Sequence, residues 1–148
     1  MLVRLFNNIG IRSLGIVSVA EEFDGPLPIS KALLIAPLVS HRSLLGHLSR
    51  KNTVVSSLEQ LIVKRTRSFT NFNERYYDGL CESLNAIQFL VDIKVVEIVD
   101  SGIQVVESIS YEKQMGKRAA KIYQAAPNIA ALLSASTSSL YSSLRVQI

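Results

Sequence analysis

The stretch from Asn71 to Val106, NFNERYYDGLCESLNAIQFLVDIKVVEIVDSGIQVV, decides the fold. Over its first two-thirds Phe72, Tyr76, Leu80, Leu84, Ile87 and Val91 recur at three or four residues, which predicts a long amphipathic helix with these side chains on its buried stripe. Asn71 followed by Glu74 has the form of a capping pair at its start. The period then changes. Ile93, Val95, Val96 and Ile98, the turn residues Asp100-Ser101-Gly102, and Ile103, Val105 and Val106 read as two strands of a β-hairpin.

Upstream of that stretch the pattern is helical throughout. Phe6, Ile9, Val17, Ala20 and Phe23 share one face of an N-terminal helix over 6–23, with Asn7 or Asn8 available as its cap. Asp24-Gly25-Pro26 breaks it. Pro28 suits the first position of a second helix carrying Ile29, Leu33, Leu34 and Leu38, and Pro37 marks a kink or stop before a short segment from His41 to Arg50. Ser56 with Glu59 caps a helix that carries Leu58, Leu61 and Ile62 and closes on the basic turn Lys64-Arg65-Thr66-Arg67. Downstream, Met115, Ala119, Ile122 and Tyr123 predict one helix. Pro127 opens another with Ile129, Leu132, Leu133 and Leu140, which frays through a serine-rich end. The expected fold is mostly α with a small β-hairpin, an α+β single domain over residues 1–148. Its helix, helix, hairpin order is like that of a winged-helix unit.

Composition narrows the function classes. Apolar residues make up 48% of the 148 residues and charged residues only 19%, against roughly 25% charged in an average soluble domain. A chain with so few charges is expected to cover apolar faces with another subunit. Cys81 has no second cysteine to pair with and falls in an apolar-periodic run, so it reads as a small core residue of a cytoplasmic protein. No run approaches the roughly 20 apolar residues that span a bilayer, and Met1 to Asn8 turns polar too early for a signal peptide. The net charge of +4 and pI near 9.4 permit contact with an acidic surface without demanding it.

Catalytic and cofactor chemistry find no constellation in the sequence. His41 and His47 are six residues apart and fall on different helical faces, so they read as ordinary boundary histidines rather than metal ligands. Gly116-Lys117-Arg118 lacks the upstream glycine of a phosphate-binding loop, and the serines cluster at caps and near the C-terminus. A non-enzyme with no cofactor and no metal is expected. A small hydrolase or transferase would require a pocket gathering residues distant in sequence.

The basic residues remain, in three groups: Arg42, Arg50 and Lys51; Lys64, Arg65 and Arg67; and Lys113, Lys117, Arg118 and Lys121. The second and third are the candidate nucleic-acid residues, weighed against an ordinary solvated face. The helix ahead of the hairpin carries Asp78, Glu82 and Asp92 with only Arg75, which argues against base reading by that helix.

Several segments, in order along the chain, resemble one family. They are Phe6-Asn7, Leu34-Ile35-Ala36-Pro37-Leu38-Val39-Ser40-His41, Asn85-Ala86-Ile87-Gln88-Phe89-Leu90, Gly116-Lys117-Arg118-Ala119-Ala120 and Leu144-Arg145-Val146. The family is the small middle component of bacterial three-component ABC-ATPase systems of the Lamassu-like antiphage kind. Arg145 departs from its pattern, which has glycine between the leucine and valine of the ending. The resemblance implies a non-catalytic adaptor bridging an ABC or SMC/Rad50-like ATPase and a nuclease-type effector, with double-stranded DNA met through the complex and no membrane partner. The competing expectation is a stand-alone winged-helix DNA-binding transcriptional regulator.

Overall fold

The computed structural model describes the backbone of residues 2–109 and 112–148 and the side chains of residues 9–109, 112, 113 and 115–148. In chain order the elements are α1 (Leu2–Glu22), β1 (Leu27–Pro28), α2 (Ile29–Ala32), α3 (Ile35–Ser40), α4 (Arg42–Leu48), α5 (Leu58–Lys64), α6 (Phe72–Asp92), β2 (Val96–Val99), β3 (Gly102–Val105), α7 (Lys117–Leu132) and α8 (Thr137–Ser143). The fold is mostly α with a small antiparallel sheet, as expected.

Helix α1 is the centre. Every residue from Ser13 to Ala20 is buried, because α1 packs against both α6 and α7. A helix apolar on nearly all sides has to be enclosed on nearly all sides. It starts well before the expected cap, with Asn7 and Asn8 inside it, and the side chain of Phe6 lies outside the described set. Val17 and Ala20 are core; Ile9 and Phe23 are half-buried.

The hairpin is joined by a strand that the sequence reading missed. Leu27 and Pro28 pair antiparallel with Ile103 and Gly102, so the sheet order is β1-β3-β2. Pro28 therefore ends a strand and caps α2 rather than opening a long helix. Asp100 and Ser101 form the two-residue turn with φ of 50° and 61°, the left-handed pair of a type I′ hairpin. Gly102 is needed where β1 crosses: a Cβ there would lie 2.8 Å from the Cβ of Pro26 and 3.2 Å from the carbonyl of Val99. Ile93 sits at the end of α6, 47% exposed, instead of in a strand.

Four further expectations are corrected by packing. The second helix breaks at Leu33-Leu34 and not at Pro37, which is buried in the first turn of α3, where an N–H has no intrahelical acceptor anyway. The cap of α5 is Ser57, whose hydroxyl accepts from the N–H of Gln60 at 3.2 Å; the pattern lies one residue beyond Ser56. Pro127 lies inside a continuous α7, on its exposed side, with Ala125, Ala126, Ile129 and Ala130 anchoring the buried face around it. Met115 belongs to a 3-10 turn before α7 and is exposed, as is Tyr123.

Helix α6 forms over the expected span, but its buried face is rotated. Phe72, Tyr76, Gly79, Ser83, Ala86, Ile87 and Leu90 are buried, Leu80 and Val91 are half-buried, and Leu84 is 47% exposed. Small residues face inward because α1 and α3 approach closely; a Cβ on Gly79 would meet the Arg12 guanidinium at 3.3 Å and Ala36 at 3.5 Å. Cys81 is consequently exposed rather than core. Asn71 precedes α6 with φ of 62° and makes no side-chain cap, although its carbonyl accepts from the N–H of Arg75 at 3.0 Å.

Candidate functional site

The turn that follows α5 is held by an arginine on α6. Arg75 donates from Nη2 to the carbonyl of Ser68 at 2.9 Å, from Nη1 to that of Thr70 at 2.9 Å, and from Nε to that of Pro37 at 3.3 Å. Its guanidinium also lies over the Phe72 ring, 5.3 Å from the centroid. A planar fork with five donors suits this task, since it satisfies carbonyls from two segments at once. Burial lowers the Arg75 pKa from its ordinary value. The sequence reading missed Arg75 in this role, because nothing in the spacing ties residue 75 to the carbonyls of 37, 68 and 70.

The clamped turn presents its cations beside α4. Ser43, His47, Lys64, Arg65, Thr66, Arg67 and Ser68 line an open cleft of about 720 Å³, and none of them is acidic or apolar. Arg65 reaches across it, Nη1 donating to Ser43 Oγ at 3.5 Å. His47 has its pKa lowered by burial and by Arg65, Arg50 and Lys64, so Arg50 from the first basic group acts on the same spot as the second. His41 is lowered in the same direction by burial, Arg75 and Arg65. Arg50 of the first basic group and Lys64 and Arg65 of the second thus act together on His47, and Arg65 acts on His41 as well. The adjoining face of α5 carries Glu59, Gln60 and the exposed Val63.

The remaining candidates lie elsewhere. Lys113 is in the 3-10 turn, and Lys117, Arg118 and Lys121 are exposed on the first turns of α7, entered through Gly116 at φ of 96°. Arg118 lines a cavity of about 60 Å³ with Arg12, Ser83 and Ile122, far smaller than the 300 Å³ or so at which ligand pockets begin. Asn128, seven residues and roughly 10 Å of helix beyond Lys121, is where α7 meets α4, donating to the carbonyls of Leu48 at 2.8 Å and Thr53 at 3.2 Å. The α7 lysines therefore do not line the cleft.

The outer side of α6 has the opposite character. Tyr77, Cys81 and Leu84 form an exposed stripe with Asp78 and Glu82 along one side, and Ile98 and Val106 of the hairpin are also 45% and 60% exposed. Glu82 is held by Arg12 of α1 at 2.6 Å. Among the described residues, no helix is long and apolar enough to cross a membrane.

A family model described as ABC-three component (ABC-3C) system Middle Component 3 matches residues 16–148. No curated protein and no solved structure matches the chain significantly.

Proposed function

The chain belongs to the middle-component family of ABC-three component systems, and from that premise we propose that it is a non-catalytic adaptor of a cytoplasmic antiphage complex of the Lamassu-like kind. It bridges an ATPase of the ABC or SMC/Rad50-like type and a nuclease-type effector, and the assembled complex meets double-stranded DNA. The observation that carries the adaptor role is the outer face of α6. Tyr77 and Leu84 are 45% and 47% exposed on a helix whose other face is packed, and Asp78 and Glu82 run along one side of them. An exposed apolar strip bordered by charge has the character of a protein interface.

The test is co-expression of a tagged copy with its neighbouring genes, followed by mass determination of the intact assembly. Recovery of an ATPase and an effector, and loss of one of them on Leu84→Arg with the isolated chain still folded, is the expected result. A chain that purifies alone in the presence of both genes overturns the adaptor role.

A second reading has one observation in its favour. The order α1, β1, further helices, α6, β2, β3 with the sheet arranged β1-β3-β2 resembles that of a winged-helix unit, which favours a stand-alone DNA-binding regulator. In such a unit α6 would enter the major groove, and its acidic outer face opposes that. A lone homodimer that shifts a specific DNA sequence would favour this reading over the adaptor.

A further inference from the structure

We propose that the cleft between α4 and the turn after α5 holds the phosphodiester backbone of a nucleic-acid duplex, gripped by Lys64, Arg65 and Arg67 with Ser43, Ser68 and His47 beside them. This deepens the proposed DNA contact and rests on it for the choice of polymer, while selecting one surface over the α7 lysines. Backbone recognition uses cations together with hydroxyl donors and needs no pocket, and this cleft is open, about 720 Å³ in volume, and lined by both. An acidic protein is the poorer occupant. Protein interfaces take their energy from buried aromatic and aliphatic anchors, and no residue lining the cleft is apolar.

The cations are also held in place before any anion arrives. Arg65 is half-buried and bridges to Ser43, and Arg75 fixes the turn that carries Arg67 by its hold on Ser68 and Thr70. The charged groups acting on His47 are Arg65, Arg50 and Lys64, with His41 at the N-cap of the same helix also acted on by Arg65 and Glu59 on the adjoining face of α5. Bound phosphates raise the His47 pKa back toward its ordinary value, so binding takes up a proton and tightens as pH falls below about 6.5.

The experiment is fluorescence anisotropy of labelled duplex DNA with the full chain, and with two double variants at exposed positions, Lys64→Gln/Arg67→Gln and Lys117→Gln/Lys121→Gln. The cleft pair is expected to weaken binding about 10-fold and flatten the salt dependence by about two units of log-log slope. The α7 pair should change little. Equal affinity for duplex RNA supports the proposal, since the backbone is what is held, and His47→Gln should lessen the tightening at low pH. No binding at low salt, an equal loss from the α7 pair, a preference for single strands, or competition by polyglutamate as strong as by DNA overturns it. DNA binding by the assembled complex that survives the cleft pair sinks the cleft and leaves the complex's DNA contact standing.

Discussion

The hydroxyl groups of Tyr76 on α6 and Tyr141 on α8 lie 3.1 Å apart, both in buried side chains. Tyr141 spends its own proton on the carbonyl of Ser30 at 2.6 Å, so Tyr76 is the donor between them. This chain of two bonds ties the C-terminal helix to α6 and to α2. Burial pushes the Tyr141 pKa far up, which keeps it a donor at any working pH. Tyr141→Phe strips both bonds and is expected to cost about 1–3 kcal/mol, whereas Tyr76→Phe removes one and should cost about 0.5–1.5 kcal/mol. Urea unfolding of the two variants checks the order; a larger loss for Tyr76→Phe would reverse the donor assignment.

Rotation of the α6 stripe makes a second pair of variants diagnostic. Ile87 is buried at 7% exposure and Leu84 is 47% exposed. Ile87→Ala should cost about 2–5 kcal/mol, and Leu84→Ala should stay within about 0.5 kcal/mol in the isolated chain. Thermal melts decide. Equal costs would mean that the sequence-derived face is the buried one.

That rotation shows where the sequence was legible and where it was not. The length of α6, the hairpin and the mainly helical class follow from apolar period, and each is present. The face of α6 did not follow, since residues three and four apart define two neighbouring stripes. Hydrophobicity favours Leu80 and Leu84, while close helix packing selects Gly79, Ser83 and Ala86. Strand β1 is two residues long and ends in proline, too short to show any alternation. Among the candidate residues, Lys64, Arg65 and Arg67 were visible as a basic run. Their meeting with His47 and Arg50 depends on the fold of α4 against the turn after α5, which no local pattern encodes.

His41 supplies a pH dependence. Its Nδ1 accepts from the N–H of Leu44 at 3.1 Å, capping α4, and only the unprotonated nitrogen can do so. Burial, Arg75 and Arg65 all lower its pKa in the folded state. The unfolded chain therefore binds the proton more tightly, so the stabilisation is full above about pH 6.5 and is lost as pH falls from there through the folded value. His47 acts in the same sense. Unfolding free energies at pH 7.5 and 5.5 should differ in the wild type and differ less in His41→Asn, which keeps a capping acceptor without a charge. An unchanged difference would remove His41 from the account.

Gly102 tests the third strand. Its missing Cβ is what lets Pro26 and Leu27 cross beside the hairpin. Gly102→Ala should cost about 1–3 kcal/mol through overpacking, read as a lowered melting midpoint. A neutral effect would mean that β1 does not pack there.

The end of the chain carries strain that a single substitution should release. Arg145 has φ of 57°, donates from its N–H to the carbonyl of Ser142 at 3.1 Å, and is followed by Val146, which donates to the carbonyl of Tyr141 at 3.0 Å. These two bonds are those of a Schellman motif closing α8, whose left-handed residue is usually glycine. Lys94 closes α6 in the same way, at φ of 63° with bonds to Val91 at 3.1 Å and from Val95 to Leu90 at 3.0 Å. A residue with a Cβ pays about 1–2 kcal/mol in this conformation, and Arg145 stands where the resemblance to the middle components places a glycine. Arg145→Gly is therefore expected to stabilise the chain by about 1 kcal/mol, seen as a higher melting midpoint. Arg145→Ala separates backbone from charge, because it removes the guanidinium and keeps the Cβ. A gain in Gly and none in Ala assigns the effect to the left-handed backbone, whereas equal gains would assign it to the loss of the charge.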